Sequence, residues 1–378
     1  MLDNPLAGTP RTSSHRPMAT KFPYQTSSDA LTKPAKNTTF FQGWVPDVDN
    51  QNHDLLCAEM SRLAYASPSE IAAPLAGIGF SEVAPFDNQT TGTQGFAANN
   101  PSQGLTVLAF RGTQPDDFPD LISDAEALQG EHPGGGRVHH GFKKAYQSVD
   151  GLIPDCLGNR QSALLVTGHS LGAALATLAA LDVAPTKLIT FGSPRVGDAK
   201  FCARLAGMTV HRFVDCCDVI TRVAPERFDR ENFLKLFREL GNFAGLAFIP
   251  RKAATVAAEA VAAALAGAFS SVEKQNRFAH VAPARYIQTN GILSGTSDPA
   301  QQLADQQSAR SGYHHATEAH FFKIVDLIKS LPIAAGPRPV VRELIRGLFD
   351  LIHDAPVPLR DLADHAPLNY VSAFTGRT

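Results

Sequence analysis

The sequence predicts an α/β fold: a mostly parallel central sheet flanked by helices. Three observations carry this expectation. Short apolar runs recur, Leu105–Phe110, Ala163–Thr167, Lys187–Phe191 and Thr209–Val214, and each stops at Gly, Asp or an Arg-Gly pair. Runs of that length with no polar alternation suit parallel strands buried on both faces. Helical patterns alternate with them, Leu171–Asp182 and then about 198–206, which is the order of a strand–helix–strand sheet. Apolar residues make up 44% of the 378, enough for a large core and too many for a disordered chain.

In chain order, residues 1 to about 40 are rich in Pro, Ser, Thr, Asn and Lys and predict a flexible tail. Residues 41–378 form the folded unit. Asn52–Ala66 reads as a helix, with Leu55, Leu56, Met60 and Leu63 on one stripe. A loop rich in Gly and Asn follows, and then the strands begin. After the run at 209–214, Phe228–Ser271 is Ala-rich and mostly helical. Two more helical patterns, Thr317–Ser330 and Val340–His353, follow near the C-terminus.

Thirty-four Lys and Arg against 36 Asp and Glu give a net charge of −2, with no global attraction for nucleic acid or anionic lipid. No apolar stretch reaches about 18 residues, so no membrane span is predicted. The richest region, Phe243–Phe269, is interrupted by Pro250, Arg251, Lys252 and Glu259. Five cysteines show neither metal spacing nor a disulfide framework, and Cys216-Cys217 reads as two buried thiols. The absence of a visible signal segment and the odd cysteine count favour the cytoplasm, with signal-independent export as the alternative.

The five residues that speak most directly to chemistry are Gly168-His169-Ser170-Leu171-Gly172. They close a strand and open a helix, the context a G-x-S-x-G turn requires. The turn lifts a serine hydroxyl above the sheet, and positions two residues to either side must lack side chains. A serine hydroxyl needs a base to take its proton and a carboxylate to orient that base. Asp215 and Asp218, just past the run ending at Val214, are the candidate acids. His280, His314, His315, His320, His353 and His365 follow in the right order to be the base, while His211 precedes Asp218 and reads as structural. His314, His315, Glu318 and His320 have no distal partner set that would make them metal ligands.

Several ordered segments resemble the class 3 lipases, the fungal-type branch of the α/β-hydrolase fold. They are Val107-Leu-Ala-Phe-Arg-Gly-Thr113, Val138-His-His-Gly-Phe142, Thr167-Gly-His-Ser-Leu-Gly-Ala173, Phe191-Gly-Ser-Pro-Arg-Val-Gly-Asp198, Asp218-Val-Ile-Thr-Arg-Val-Ala-Pro225 and Asp364-His-Ala-Pro-Leu-Asn-Tyr370. The resemblance implies Ser170 as nucleophile, Asp218 as acid and His365 as base. It also implies an oxyanion hole from the backbone amides of Thr113 and Leu171. Asp215 stays a rival for the acid. His139, Arg111 and Arg195 read as structural. The implied activity is hydrolysis of carboxylic esters, with triacylglycerol lipase action first and carboxylesterase or phospholipase action as alternatives; a non-catalytic binding module is the rival of another class. The implied partners are acylglycerol or other lipid esters, with transient contact at a lipid interface. No cofactor or metal is implied.

The separation of 147 positions between Asp218 and His365 departs from compact members of that family. Residues 277–288 resemble the strand normally found in this interval. The excess falls in a helical insertion at about 226–277 and in the helices after 300. Either that insertion (Asp229–Phe269) is a lid above Ser170 or it is a hairpin buried on the sheet. The segment Gln114–Ile122 occupies the usual fungal lid position but is short and acidic.

Overall fold

The computed structural model describes residues 22–36, 39–41, 50–112, 129–159, 163–222, 277–294, 298–315, 317–332, 339, 343, 346–347 and 350–376. Thr113, the segment 114–122 and the stretch 226–276 of the expected insertion lie outside them.

Helices α1 (Ser28–Thr32), α2 (Asn50–Leu63) and α3 (Pro68–Ala76) precede the first strands. Strands β1 (Glu82–Asn88), β2 (Thr93–Asn100) and β3 (Leu105–Phe110) form an antiparallel meander at one side of the sheet. A two-stranded ribbon, β4 (Gln129–Glu131) and β5 (Arg137–His139), leads into α4 (His140–Gln147) and α5 (Ile153–Leu157). Then come β6 (Ala163–His169), α6 (Leu171–Val183), β7 (Lys187–Phe191), α7 (Ala199–Ala203) and β8 (Val210–Asp215). Finally β9 (Ala284–Ile287) is followed by α8 (Pro299–Ser311), α9 (Glu318–Ser330), α10 (Arg360–Ala363) and α11 (Pro367–Thr375). The sheet runs β1-β2-β3-β6-β7-β8-β9, parallel from β3 to β9.

Side chains of the parallel strands alternate between two buried layers. Leu108, Phe110, Val166 and Leu188 join Phe142 of α4 and Leu175 and Leu178 of α6. Val107, Ala109, Leu165, Ile189, Phe191 and Phe213 join Leu56 and Met60 of α2 and Tyr370 of α11. Full burial of each such Leu, Ile or Phe contributes roughly 1.5–3 kcal/mol, so both covering layers are needed to hold the sheet. Residues 171–180 of α6 are buried all round, because that helix lies between the sheet and α4.

Two stretches differ from expectation. The N-terminal region was expected to be a flexible tail to residue 40, yet the described part of it is docked. Phe22, Leu31 and Phe41 are buried. Arg62, fully buried on α2, donates to the Pro34 and Thr39 carbonyls and pairs with Glu59, which itself accepts the Phe41 amide. A few apolar and backbone anchors outweigh the polar composition around them. Within the stretch expected to be a Gly- and Asn-rich loop, residues 82–100 instead form the β1–β2 hairpin. Its strands carry Pro85, Gly95, Asn99 and Asn100, poor strand formers that pairing with β3 overrides. Gly95 is required there, since a side chain would collide with Phe86 and the Ala109 carbonyl.

Candidate active site

The strand β6 ends at His169 and α6 begins at Leu171, so Ser170 alone makes the turn, at φ 58° and ψ −126°. That backbone costs a non-glycine residue about 1–3 kcal/mol and persists only where its surroundings enforce it. Here the Ser170 amide donates to the Phe191 carbonyl at 3.0 Å. A Cβ at Gly168 would collide with the Gly172 carbonyl, and one at Gly172 with the Phe110 carbonyl. These two glycines let the helix start directly against the strand ends.

The Ser170 Oγ lies 2.8 Å from His365 Nε2, and His365 Nδ1 lies 2.8 Å from Asp218 Oδ2. The carboxylate only accepts, so Nδ1 carries the proton and Nε2 is left to accept from the serine hydroxyl. All three residues are buried. Asp218 is fixed on both oxygens: the Ile220 amide donates to Oδ1 at 2.9 Å and the Tyr370 hydroxyl donates to Oδ2 at 2.5 Å. Burial, reinforced by Asp218 and Asp215, pushes the Tyr370 phenol well above its ordinary range, so it stays a donor. Gly192, at φ 58°, leaves room for this pair; a Cβ there would stand 2.8 Å from Asp218 Oδ2 and 3.0 Å from His365 Nδ1.

Behind the serine, His169 is buried with its ring centroid 4.5 Å from that of His365. Its Nε2 is 2.8 Å from the His365 carbonyl, which can only accept, so Nε2 donates and Nδ1 accepts the Tyr65 hydroxyl at 2.9 Å. Burial first, and then His365, hold the His169 pKa well below the usual histidine range; the ring is neutral. The Tyr65 hydroxyl also fills the space where Gly112 would carry a side chain. Tyr65, His169 and Tyr370 therefore brace the site, and the sequence reading missed Tyr65 altogether. Tyr65 follows the end of α2 at Leu63 and has no local signal; only the fold places it beside the turn.

The structure brings Ser170, Asp218 and His365 together. Leu171 is the first residue of α6, its amide next in the chain to the serine. Thr113 lies outside the described residues, which end on that side at Gly112. Several other candidates are engaged elsewhere. Asp215 accepts the Cys216 amide at 2.9 Å, and the Tyr370 hydroxyl accepts its own amide. His211 pairs with Asp54 at 2.6 Å, His139 accepts the Phe142 amide at the start of α4, and His320 pairs with Asp354 at 3.4 Å. Arg195 donates to the Arg222 carbonyl and Arg111 to the Gln94 side chain. Among the described residues, Cys216, Cys217 and Asp364 are the one group with donor atoms close enough for a metal. Both thiols are free, and the Asp364 oxygens already hold Tyr24, Arg360 and the Cys217 amide. Among the described residues no helix is long and apolar enough to cross a membrane.

Such an array activates a serine hydroxyl for attack on an acyl carbon. The family model described as lipase (class 3) matches residues 107–228. A lipase of Rhizopus niveus is 30% identical over 161 residues, covering 38% of this chain and 41% of the relative. A secreted mono- and diacylglycerol lipase of Malassezia globosa is 32% identical over 144 residues, covering 32% and 47%. A chloroplastic phospholipase A(1) of Arabidopsis thaliana is 45% identical over 75 residues, covering 18% and 17%. The chain thus spans less than half the length of these curated relatives. Among solved structures, lipase II from Rhizopus niveus aligns with a TM-score of 0.39 and 24% identity over 46% of this chain and 72% of that one.

Proposed function

We propose that this chain is a member of the class 3 lipase family of the α/β-hydrolase fold and hydrolyses carboxylic esters, with acylglycerols as its substrates. The observation that carries the reading is the hydrogen-bonded series Ser170–His365–Asp218 beneath a strained strand-to-helix turn. Ser170 attacks the ester carbonyl while His365 Nε2 takes its proton. Asp218 holds the imidazole in the required tautomer and stabilises its charged form. The developing oxyanion is bound by the amides of Leu171 and Thr113, the first at the N-terminus of α6, where the helix dipole favours negative charge. His365 then protonates the leaving alcohol, and water repeats the cycle on the acyl-serine to release the fatty acid.

Phospholipase action is the second reading, favoured by the similarity to the Arabidopsis phospholipase A(1). For location, the cytoplasmic expectation runs against relatives whose names include "secreted". The substrate is settled by hydrolysis rates on p-nitrophenyl esters of rising chain length, emulsified triacylglycerol and phosphatidylcholine vesicles. The proposal expects turnover of medium or long acyl chains and of the emulsion above the vesicles. Vesicles cleaved faster than the emulsion would assign phospholipase action instead, and no hydrolysis of any ester would overturn the enzyme reading.

A further inference from the structure

The N-terminal segment meets the histidine-bearing loop at Tyr24, and one buried carboxylate joins the three parts of the chain that come together there. Asp364 directly precedes His365 and is fully buried. Its Oδ2 accepts the amide of Cys217 at 2.8 Å, and Cys217 directly precedes Asp218. Its Oδ1 accepts the Tyr24 hydroxyl at 2.6 Å and lies 2.7 Å from Arg360 Nε. The Arg360 guanidinium sits 4.0 Å above the Tyr24 ring. Burial, and then the neighbouring Asp364, push the Tyr24 phenol well above its ordinary range, so it remains a donor. The two residues that follow Tyr24 are stitched as well. Gln25 and Asn369 exchange two hydrogen bonds, at 2.8 and 3.0 Å, and the Val357 amide donates to the Thr26 carbonyl at 2.7 Å. Asn369 also donates to the Ala363 carbonyl at 2.9 Å.

We propose that Tyr24 and Asp364 are positioning residues: they clasp the loop carrying His365 against the loop carrying Asp218, and the N-terminal segment is thereby part of the site's working geometry. The inference rests on the hydrolase reading for its kinetic consequence, though not for its structural one. His365 lies between two short helices outside the sheet, with no strand end to fix it. Its register with Asp218 depends on what holds residues 217 and 364 together, and the Asp364 carboxylate does so directly. Tyr24 locks one oxygen of that carboxylate from more than 330 residues away in the sequence. Neither group reaches the reacting atoms. A displacement of about 1 Å at such a site is enough to cost on the order of 100-fold in rate.

The test compares Tyr24→Phe, Asp364→Asn and the double variant with the full-length wild type. It reads kcat and KM on p-nitrophenyl butyrate, the melting temperature, and the low-field proton resonance of the His365 Nδ1–H, assigned by its loss in His365→Gln. Tyr24→Phe removes a single oxygen and tests the clasp if Asp364→Asn fails to fold. The clasp predicts that Tyr24→Phe lowers kcat by about 10-fold to 100-fold, with KM within about twofold, and shifts or broadens the resonance. Where both fold, the double variant should lose no more kcat than Asp364→Asn alone, because both changes act through one carboxylate. A lowered melting temperature with kcat and resonance unchanged would reduce these residues to fold stability and overturn the proposal. A wild type that shows the resonance but cleaves no ester removes the hydrolase reading, and the resonance in Tyr24→Phe then decides the clasp by itself.

Discussion

Ser170 and His365 are 2.8 Å apart, yet they are held by different means. Ser170 is placed by backbone: a strand end, a helix start and two glycines within five residues leave its hydroxyl one direction in which to point. His365 is placed by side-chain contacts, several of them with distant parts of the chain: Asp218, which Tyr370 also holds, His169 through the His365 carbonyl, and the neighbouring Asp364 with its partners Cys217 and Tyr24. A backbone-built element is specified locally and tolerates little variation. A side-chain-built one is assembled only when the whole chain has folded, and it can be loosened one hydrogen bond at a time.

Removing either end of the pair should have the largest effect and erase the contrast. Ser170→Ala and His365→Ala should each lower turnover by roughly 10³ or more while unfolding cooperatively, because the two groups act as a unit. Steady-state kinetics beside thermal melts checks this, and turnover in either variant near the wild-type rate would break the account. Next in size is the choice of acid. Asp218→Asn keeps the shape of the site but loses the charge that fixes the imidazole tautomer, and it should cost on the order of 10²–10⁴ in kcat. Asp215→Asn should be far milder, since its carboxylate is engaged with the Cys216 amide. The reverse order would move the acid to Asp215. Smaller again is Tyr370→Phe, which removes one hydrogen bond to Asp218 Oδ2; it should lower kcat by about tenfold and stability by about 1–3 kcal/mol.

These expectations also mark how far the sequence could be read. The parallel strands, the turn at Ser170 and the order of the candidate residues were legible because each is set by a few neighbouring residues: apolar runs closed by glycine, and small residues around a serine. The β1–β2 hairpin was not, because its Asn, Pro and Gly residues have no strand preference of their own and are held by pairing with β3. Nor was the docking of residues 22–36 and 39–41, where a handful of anchors (Tyr24, Leu31, Phe41) sit in a polar, proline-containing stretch. Among the acids the local pattern left Asp215 and Asp218 open. The distance to His365 separates them, and that distance spans 147 residues of chain. Tyr65 escaped for the same reason, since its partner His169 lies 104 residues away.

The smallest expected effect concerns the brace behind the serine. Folded His169 stays neutral because its pKa is depressed, whereas in the unfolded chain it returns to about 6.5 and takes up a proton below that pH. Its contribution therefore makes the folded state lose stability as pH falls below about 6.5, by up to about 1.4 kcal/mol per pH unit. Denaturant unfolding at pH 7.5 and 5.5 should show a smaller loss on acidification in His169→Gln than in the wild type. Equal losses in both would mean that His169 is not held neutral.

The central claim, that Ser170 is activated as a nucleophile by His365, is tested most directly by a fluorophosphonate probe followed by intact-mass and peptide mass spectrometry. The account predicts one adduct, on Ser170, none on Ser170→Ala, and labelling of His365→Ala slowed by about 10² or more. An adduct on another residue, or wild-type labelling that persists in Ser170→Ala, would contradict it.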